Sequence, residues 1–162
     1  MDEKNFPLVS VISPCWNGEK FVGRFLDSLL NQTYKGAIEL LIVDDGSTDR
    51  TAEIIESYES KFASRNYILR YYYQENAGQA AAINLALDKF NGEYMTWFDS
   101  DDFMTSDSIE KRVQFLEDHP QYDFCICQRF DVNEIDVNKI LKITKRTPPP
   151  LLKIHCFGIC CA

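Results

Sequence analysis

Residues Ile38–Val43 read IELLIV and run directly into Asp44-Asp45-Gly46. A short run of branched apolar residues predicts a β-strand, and the acidic pair with glycine predicts the turn that ends it. Similar runs predict four further strands. They cover Leu8–Ser13 (LVSVIS), Tyr67–Tyr73, Tyr94–Phe98 and Tyr122–Gln128.

Helical segments separate these strands. Lys20–Gln32 places its apolar residues on one helical stripe, and Gly78–Phe90 is rich in alanine. Two more helices are predicted, one capped by Ser47 or Thr48 and one opened by Ser106. The order βαβαβαβαβ predicts an α/β protein with a doubly wound, mostly parallel sheet and helices on both faces. In such Rossmann-like sheets, ligands bind beyond the carboxyl ends of the strands.

The charge of the chain limits its partners. The 162 residues suit one domain, and the net charge is −8, from 17 basic and 25 acidic residues. This charge excludes a nucleic-acid partner, because a phosphate backbone requires a basic protein face. It also disfavours simple electrostatic docking on anionic lipid. A phosphorylated ligand would therefore need a divalent cation, Mn²⁺ or Mg²⁺, held by carboxylates.

The sequence predicts a cytoplasmic protein. Met1-Asp2-Glu3-Lys4 is charged and only short apolar runs follow, so we expect neither a signal peptide nor a transmembrane segment. The six cysteines form no regular framework, so reduced thiols are expected. Cys125 and Cys127 alternate along a strand and are expected to share a face in the core. Peripheral association with the inner face of the membrane and assembly into a homo-oligomer remain open.

Polar loops follow the predicted strands and should meet at one edge of the sheet. The most informative is Asp99-Ser100-Asp101-Asp102, whose carboxylates repel one another unless water or a cation screens them. Magnesium and manganese prefer hard oxygen ligands, commonly one or two carboxylates with substrate phosphate oxygens. The turn therefore predicts a metal–diphosphate site. The alternative is a solvated acidic turn that caps the helix near Ser106.

Other loops carry candidate ligand contacts, each with a plainer alternative. Asp44 and Asp45 suit hydrogen bonds from a base or ribose, or they form only a turn and a helix cap. Trp16 suits stacking on a base, although an aromatic residue near a strand end is more often part of the core. Gly78 lets backbone approach a ligand, or it only turns the chain into its helix.

Five motifs in chain order resemble glycosyltransferase family 2. Any one of them alone would be weak, whereas five in the right order are specific. The resemblance extends over approximately residues 7–130 and implies the GT-A fold, which binds nucleotide sugars. The motifs are Val9–Gly18 (VSVISPCWNG), Leu29–Tyr34 (LLNQTY), Ile42–Asp49 (IVDDGSTD), Asn76–Asn84 (NAGQAAAIN) and Asp99–Asp102 (DSDD).

The resemblance implies roles on the nucleoside side of the site. Pro14 and Trp16 would line the uridine pocket. Asp45 would bond the uracil, and Asp44 would support the loop that carries it. Glu19 would also reach the nucleotide.

On the diphosphate side, Asp101 would contact the ribose and Asp102 would hold the metal that bridges the diphosphate. Asp99 belongs to the same cluster, and which carboxylate ligates first stays open. The chain departs from the family at Ile83, where an arginine is frequent, so a cationic diphosphate contact is missing or comes from elsewhere. The predicted donor-binding residues are Pro14, Trp16, Asn17, Glu19, Asp44, Asp45, Gly78, Asn84, Asp99 and Asp101, and the predicted metal ligands are Asp102 and Asp101.

The resemblance implies metal-dependent transfer of a sugar from a nucleotide-diphosphate sugar, with a UDP-sugar as the expected donor. The acceptor would be a glycan or a lipid-linked molecule, and configuration at the anomeric carbon would invert. The family's catalytic base lies in a second half that nothing after Gln128 resembles, so the catalytic residue is unknown. We expect a nucleotide-sugar-binding domain over 1–134, truncated before the acceptor half, and an irregular, truncated or aberrant tail over 135–162. The alternative is a non-catalytic remnant that binds donor and transfers nothing.

Overall fold

Four parallel strands form the centre of the sheet. β1 (Val9–Cys15) pairs with β2 (Ile38–Asp45) and with β4 (Tyr94–Trp97), and β2 pairs with β3 (Ile68–Gln74), always in parallel. The mostly parallel α/β sheet predicted from the sequence is therefore confirmed. The computed structural model describes residues 5–127, 129–132, 140–144 and 159–161.

Short strands from the C-terminal part extend the sheet. β5 (Phe124–Cys125) is shorter than the predicted strand 122–128, and β8 (Ile159–Cys161) lies between β4 and β5, antiparallel to both. The strand order is β3-β2-β1-β4-β8-β5. β6 (Arg129–Val132) and β7 (Ile140–Thr144) form a separate antiparallel pair. Within the segment 135–162, predicted to be irregular, β7 and β8 are strands, and its other residues lie outside the described ones.

Helices cover both faces of the sheet, as predicted. Successive side chains of a strand point to opposite faces, so Leu40 and Ile42 join one apolar cluster and Leu41 and Val43 join the other. The first cluster includes residues of four helices, and the second includes Ala82 and Ala86 of the one remaining helix, Gln79–Leu87. None of these helices is long and apolar enough to cross a bilayer, within the residues described. The helices are α1 (Val22–Leu30), α2 (Thr51–Glu56), α3 (Glu59–Ser64), α4 (Gln79–Leu87) and α5 (Ser108–Asp118).

The single helix predicted after β2 is in fact the pair α2 and α3. The Ser57 hydroxyl donates to a carbonyl of the preceding turn at 2.6 Å, which favours the end of α2 at this point. The predicted cap at Ser47 or Thr48 is wrong, because Asp49 Oδ1 accepts a hydrogen bond from the Thr51 backbone nitrogen at 3.0 Å. Asp49 therefore satisfies a free amide at the start of α2.

Glu39 is a fully buried carboxylate at the amino end of β2. It accepts hydrogen bonds from the Ser10 hydroxyl and from the backbone and side chain of Asn91, and Arg70 Nη2 lies 3.4 Å from its Oε2. Burial alone would raise the pKa of Glu39, but these hydrogen bonds and the charge of Arg70 lower it. The network joins β1, β2 and the loop after α4 at the edge of the sheet opposite the strand carboxyl ends.

Candidate functional site

An open cleft of about 690 Å³ lies at the carboxyl ends of β1, β2 and β4. Loops that follow these strands and β3 line it, as expected for a parallel sheet. Seven predicted donor-binding residues line the cleft: Pro14, Trp16, Asn17, Asp45, Gly78, Asp99 and Asp101. Four other predicted residues are not among those that line it: Glu19, Asp44, Asn84 and Asp102.

The loop after β1 is fastened to the loop after β2. The Asn17 backbone nitrogen donates to the Ser47 hydroxyl at 2.8 Å, and Asn17 Oδ1 accepts from the Thr48 backbone nitrogen at 2.9 Å. The Gly18 backbone nitrogen donates to Thr51 Oγ1 at 2.8 Å. Asn17 has a φ of +48°, a left-handed conformation that asparagine adopts more readily than most residues. The side-chain oxygen of Asn17 thus accepts a hydrogen bond from the loop after β2.

Trp16 is an exposed ring at the cleft. Its exposed fraction is 60%, so the alternative that Trp16 is a core residue is overturned. It lines the cleft between Pro14 and Asn17, next to the buried Cys15. Burial raises the pKa of the Cys15 thiol to about 11, so this thiol is neutral at physiological pH. An exposed flat ring beside a neutral, buried thiol is suited to stacking on a nucleobase.

Glu19 lies at the outer side of the same loop and is exposed. Its backbone nitrogen donates to Asp49 Oδ2 at 3.1 Å, and its Oε2 accepts from the Arg50 backbone nitrogen at 3.3 Å. Glu19 therefore ties the loop after β1 to the start of α2. Its predicted contact with a nucleotide stays a prediction.

Asp44 is buried and supports its own loop. Its Oδ1 accepts from the Ser47 backbone nitrogen at 2.7 Å, and its Oδ2 accepts from the Tyr71 hydroxyl at 2.8 Å. Burial, and then the hydrogen bond to Asp44, raises the pKa of Tyr71, so the phenol stays protonated and keeps donating. Asp44 is 1% exposed, so the bulk of the protein separates it from solvent in the cleft.

Asp45 is 4% exposed, yet it lines the cleft. Its Oδ1 accepts from Gln74 Nε2 at 2.6 Å and from the Ala77 backbone nitrogen at 2.8 Å, and its Oδ2 accepts from the Gly78 backbone nitrogen at 2.9 Å. Burial alone would raise the pKa of Asp45, but these three hydrogen bonds, with that from Ala77 first, lower it. The ionised carboxylate joins β2 to the loop that begins α4, and its oxygens retain capacity for a further hydrogen bond.

The turn after β4 brings Asp99 and Asp101 to the cleft. Asp99 Oδ1 accepts from Gln79 Nε2 at 2.8 Å and from Trp97 Nε1 at 3.3 Å. Asp101 is exposed. The Asp102 backbone nitrogen donates to the Asp99 carbonyl at 3.2 Å and closes the turn. One carboxylate of the turn is therefore oriented by neighbouring side chains, and another faces solvent.

The donor set of this turn fits a hard divalent cation that shares its ligands with a phosphate. In the described part of the chain, no three His, Cys, Asp or Glu side chains form a group that could hold a metal by themselves. The two carboxylates at the cleft, Asp99 and Asp101, match what Mg²⁺ commonly takes from a protein when phosphate oxygens and water complete its shell. The helix-cap alternative is not supported, because α5 begins at Ser108, well after Asp102.

Polar side chains on and just after α1 hydrogen-bond to the backbone of this turn and of the segment that follows it. Arg24 and Ser28 on α1, and Gln32 just after it, are spaced by four residues and share one face. Arg24 Nη2 donates to the Asp101 carbonyl at 3.1 Å, and the Ser28 hydroxyl accepts from the Met104 backbone nitrogen at 3.2 Å. The Gln32 amide bonds the backbone at two further points, 2.9 and 3.0 Å away. α1 therefore helps to set the position of the acidic turn.

Positive charge is scarce at the cleft. Of the described residues that line it, none is lysine or arginine. Ile83 is half-buried on α4, and Asn84 is exposed and away from the cleft lining. Arg24 contacts the backbone of the acidic turn, and its guanidinium lies 5.0 Å from the ring centroid of Phe103. The described lining therefore offers no cationic side chain to balance its carboxylates.

Six residues that line the cleft were not among the predicted donor contacts. Five of them belong to the loops that follow predicted strands, where ligands bind in a parallel sheet, so this strand-end rule was a usable signal for them. Phe21, which precedes α1, lies in none of these loops, and only the three-dimensional arrangement brings it to the cleft. The six are Cys15, Gly18, Phe21, Asn76, Gln79 and Ser100.

The sequence model described as glycosyl transferase family 2 matches residues 10–158. The chain belongs to glycosyl transferase family 2. The family resemblance inferred from the five motifs is confirmed, and the match continues beyond residue 130, where the recognised motifs ended.

Two relatives indicate how much of a family member this chain spans. An uncharacterized glycosyltransferase of Haemophilus influenzae is 36% identical over 141 residues, which are 83% of this chain and 55% of the relative. The putative teichuronic acid biosynthesis glycosyltransferase TuaG of Bacillus subtilis is 40% identical over 110 residues, which are 68% of this chain and 42% of the relative. The chain thus spans about half the length of these relatives.

Solved structures share the fold. TarS 1-349 of S. aureus in complex with UDP matches with a TM-score of 0.64 and 32% identity, over 72% of this chain and 33% of that one. The mannosyltransferase PcManGT from Pyrobaculum calidifontis, in complex with GDP-Man and Mn²⁺, matches with a TM-score of 0.53 and 29% identity, over 62% of this chain and 29% of that one. The expected GT-A fold of the glycosyltransferase is confirmed.

Proposed function

We propose that this chain is the donor-binding part of a glycosyltransferase that binds a UDP-sugar together with Mn²⁺ or Mg²⁺. The observation that carries the proposal is the convergence at one cleft of the exposed Trp16, the ionised Asp45 and the two carboxylates Asp99 and Asp101. The UDP complex of TarS supports a uridine nucleotide, and the Mn²⁺ complex of PcManGT supports the cation.

The cation follows from the charges around the cleft. A diphosphate placed beside Asp99 and Asp101 would be repelled, and the lining offers no basic side chain among the described residues. When bound, the cation would neutralise the diphosphate and stabilise it as a leaving group. Asp99 is pre-oriented for this role by Gln79 and Trp97, and Asp101 is open to solvent. Asp102 stays a predicted ligand.

The base side of the site favours a nucleobase with an N–H donor. An ionised carboxylate only accepts hydrogen bonds, so Asp45 would bond the imide N–H of uracil, while Pro14 and Trp16 would line the uridine pocket. Cytosine presents an acceptor at the same ring position and would be repelled. We therefore expect UDP to bind more tightly than CDP.

A thermal-shift screen of UDP, CDP, GDP and UDP-GlcNAc, each with and without manganese, tests this proposal. UDP and its sugar should raise the melting temperature only when manganese is present, and CDP should not. Equal shifts for CDP and UDP would refute the role of Asp45 at the base. If no nucleotide shifts the melting temperature under any condition, the proposed function is wrong.

The acceptor is proposed to be a glycan or a lipid-linked glycan, in line with the name of TuaG, which concerns teichuronic acid biosynthesis. The acceptor hydroxyl would attack the anomeric carbon opposite the diphosphate, and a carboxylate base would take its proton. Glu134 and Asp136, which follow the strand region, lie outside the described residues. Positioning of the acceptor lowers the activation barrier by roughly 7–11 kcal/mol, and acid–base catalysis raises the rate by about 10²–10⁴-fold. Because the sequence motifs supply neither an acceptor site nor a base, we expect this chain alone to bind donor and to transfer the sugar slowly.

A second candidate is a protein that binds nucleotide sugar without transferring it. The observation that favours it is the lining of the cleft, where the described carboxylates Asp45, Asp99 and Asp101 all have proposed donor or metal roles and none is left to act as a base. A UDP-release assay with a panel of glycan and lipid-linked acceptors separates the two candidates. Acceptor-dependent release that Asp101→Ala abolishes supports the transferase, and manganese-dependent binding of UDP-sugar without release supports the second candidate.

A further inference from the structure

Cys127, two residues after the end of β5, lies against the guanidinium of Arg112 on α5. Arg112 of α5 donates from its Nε to Cys127 Sγ at 3.1 Å and from its Nη1 to Thr96 Oγ1 at 3.4 Å. The same guanidinium lies 5.7 Å from the ring centroid of Phe98. Contacts with β4 thus fix the position of the charge that faces the sulfur. Cys127 itself is exposed, so molecules in solution can reach it.

A second thiol completes the arrangement. The side chain of Cys125 hydrogen-bonds to Cys127, and its sulfur lies 3.9 Å from the Arg112 carbonyl oxygen. Cys125 is half-buried. The expectation that both cysteines lie in the core is therefore wrong for Cys127, because β5 ends at Cys125 and lies at the edge of the sheet. The titratable and charged groups facing the Cys127 sulfur, among the described residues, are Arg112 and Cys125.

We propose that Cys127 is a site of thiol–disulfide exchange that takes up small disulfides from solution. The Cys127 thiolate attacks one sulfur of the disulfide and forms a mixed disulfide with it. The original sulfur–sulfur bond breaks, and the second sulfur leaves with the electron pair and takes a proton from water. The incoming disulfide is the oxidant, so the cysteine is oxidised and the leaving thiol is the reduced product.

The surroundings of the sulfur favour the reactive form. The hydrogen bond from Cys125 and the charge of Arg112 together outweigh burial and lower the pKa of Cys127 to about 5. The thiolate is the nucleophile in exchange reactions, and it is favoured beside a fixed cation at an accessible position. Cys15 provides the contrast inside the same chain, because it is buried and stays a neutral thiol. This proposal does not depend on the proposed function.

The test uses the full chain and dithiodipyridine, a small uncharged disulfide whose released thiol is measured by absorbance. Peptide mass spectrometry identifies which of the six cysteines reacts. Cys127 should be modified first, with a rate that changes less than about twofold between pH 6 and pH 8. The reaction rate of a cysteine with an ordinary pKa would fall roughly 80-fold from pH 8 to pH 6. First modification of another cysteine, or the ordinary pH dependence at Cys127, would overturn the proposal.

Variants separate the environment from mere accessibility. Arg112→Gln and Cys125→Ala should each restore a pH-dependent rate at Cys127, and Cys127→Ser should remove the fast reaction. Lys111→Gln is the matched control, since Lys111 is a neighbouring basic residue of α5 that pairs with Asp107 instead. Circular dichroism checks that each variant is folded, and Arg112→Lys replaces Arg112→Gln if the latter unfolds. An unchanged pH profile in a folded Arg112 variant would contradict the proposal.

Discussion

The carboxylates at the cleft and behind it differ in how many hydrogen bonds they accept from the rest of the protein. Asp44 and Asp45 are almost fully buried and accept hydrogen bonds from nearby backbone and side chains. Asp101 is exposed at the same cleft. Because the hydrogen bonds of Asp45 hold two loops together, whereas Asp101 is exposed, mutations at these two positions should differ in their effect on stability.

Asp45→Ala is expected to lower the free energy of unfolding by about 1–3 kcal/mol, because the Gln74 side chain and the Ala77 and Gly78 backbone amides lose the acceptor that joins them to β2. Asp101→Ala is the matched control at an exposed position and should change the free energy of unfolding by less than about 0.5 kcal/mol. Urea unfolding followed by circular dichroism measures both. Equal stability of the two variants would show that the loop contacts of Asp45 contribute little to the fold.

Glu39 should make the stability sensitive to acid. Its pKa is lower in the folded protein than the ordinary value of 4.5. Its contribution is therefore complete above about pH 4.5 and is lost as the pH falls through the folded-state pKa. Glu39→Gln should lower the free energy of unfolding at pH 7, by roughly 1–3 kcal/mol, and should flatten its decrease in acid.

Unfolding curves between pH 7 and pH 3 test this expectation. Glu53→Gln is the control, because Glu53 pairs with Arg50 on the surface. A Glu39→Gln protein with the same stability and the same acid sensitivity as the parent would contradict the account of this buried network.

The strand-end rule brought most of the site residues together from sequence, because parallel strands place their following loops at one edge. It did not separate Asp44, which stands behind the cleft, from Asp45, which lines it, since both belong to one acidic pair. The family resemblance, and not this rule, added Asn84 to the site; Asn84 is exposed on α4 and is not among the residues that line the cleft, so its donor contact stays a prediction. Side-chain direction on a short helix depends on packing that the motif does not contain.

At the scale of elements, α1 acts on the cleft through the backbone of the acidic turn. Arg24→Ala removes the hydrogen bond to the Asp101 carbonyl and should weaken manganese-dependent UDP binding by roughly tenfold. Arg50→Ala is a matched control, since its side chain is 75% exposed and pairs with an exposed Glu53. Calorimetry measures the affinities. Equal binding by the two variants would show that α1 does not position the turn.

The four central strands could be predicted because each is a short segment rich in branched or aromatic residues and is followed by a polar turn. β8 could not, because it has three residues and its pairing with β4 and β5 joins segments far apart in the chain. The division between α2 and α3 was missed because their apolar residues follow one continuous helical pattern across Ser57. Cys127 was misplaced because a two-residue alternation cannot show where an edge strand stops.

At the scale of the whole molecule, β3 is one edge of the sheet, and Ile68 and Tyr73 on it are 41% and 60% exposed. Edge strands with apolar side chains favour pairing with another copy. We expect a mass that increases with concentration in size-exclusion chromatography with light scattering, and Ile68→Lys should reduce this increase. Phe115→Lys on α5, which is similarly exposed, is the control. A monomer at every concentration would contradict this prediction.

The division into a domain over 1–134 and a tail over 135–162 stays a prediction, since most of the tail lies outside the described residues. The net charge of −8 belongs to the whole chain, and Asp45, Asp99 and Asp101 place part of the negative charge at the cleft. The proposed metal dependence is therefore the property that most closely connects the composition of the chain with the geometry of its site.

Calorimetric titration of the 162-residue chain with UDP, first with manganese and then with excess chelator, tests whether nucleotide binding depends on a divalent cation. We predict measurable binding with manganese and a loss of at least about tenfold in affinity with chelator, because the carboxylates then face the diphosphate unscreened. Asp101→Ala should lose the manganese effect, whereas Asp88→Ala, at an exposed position after α4, should keep it. Equal affinity for UDP with manganese and with chelator would contradict the account.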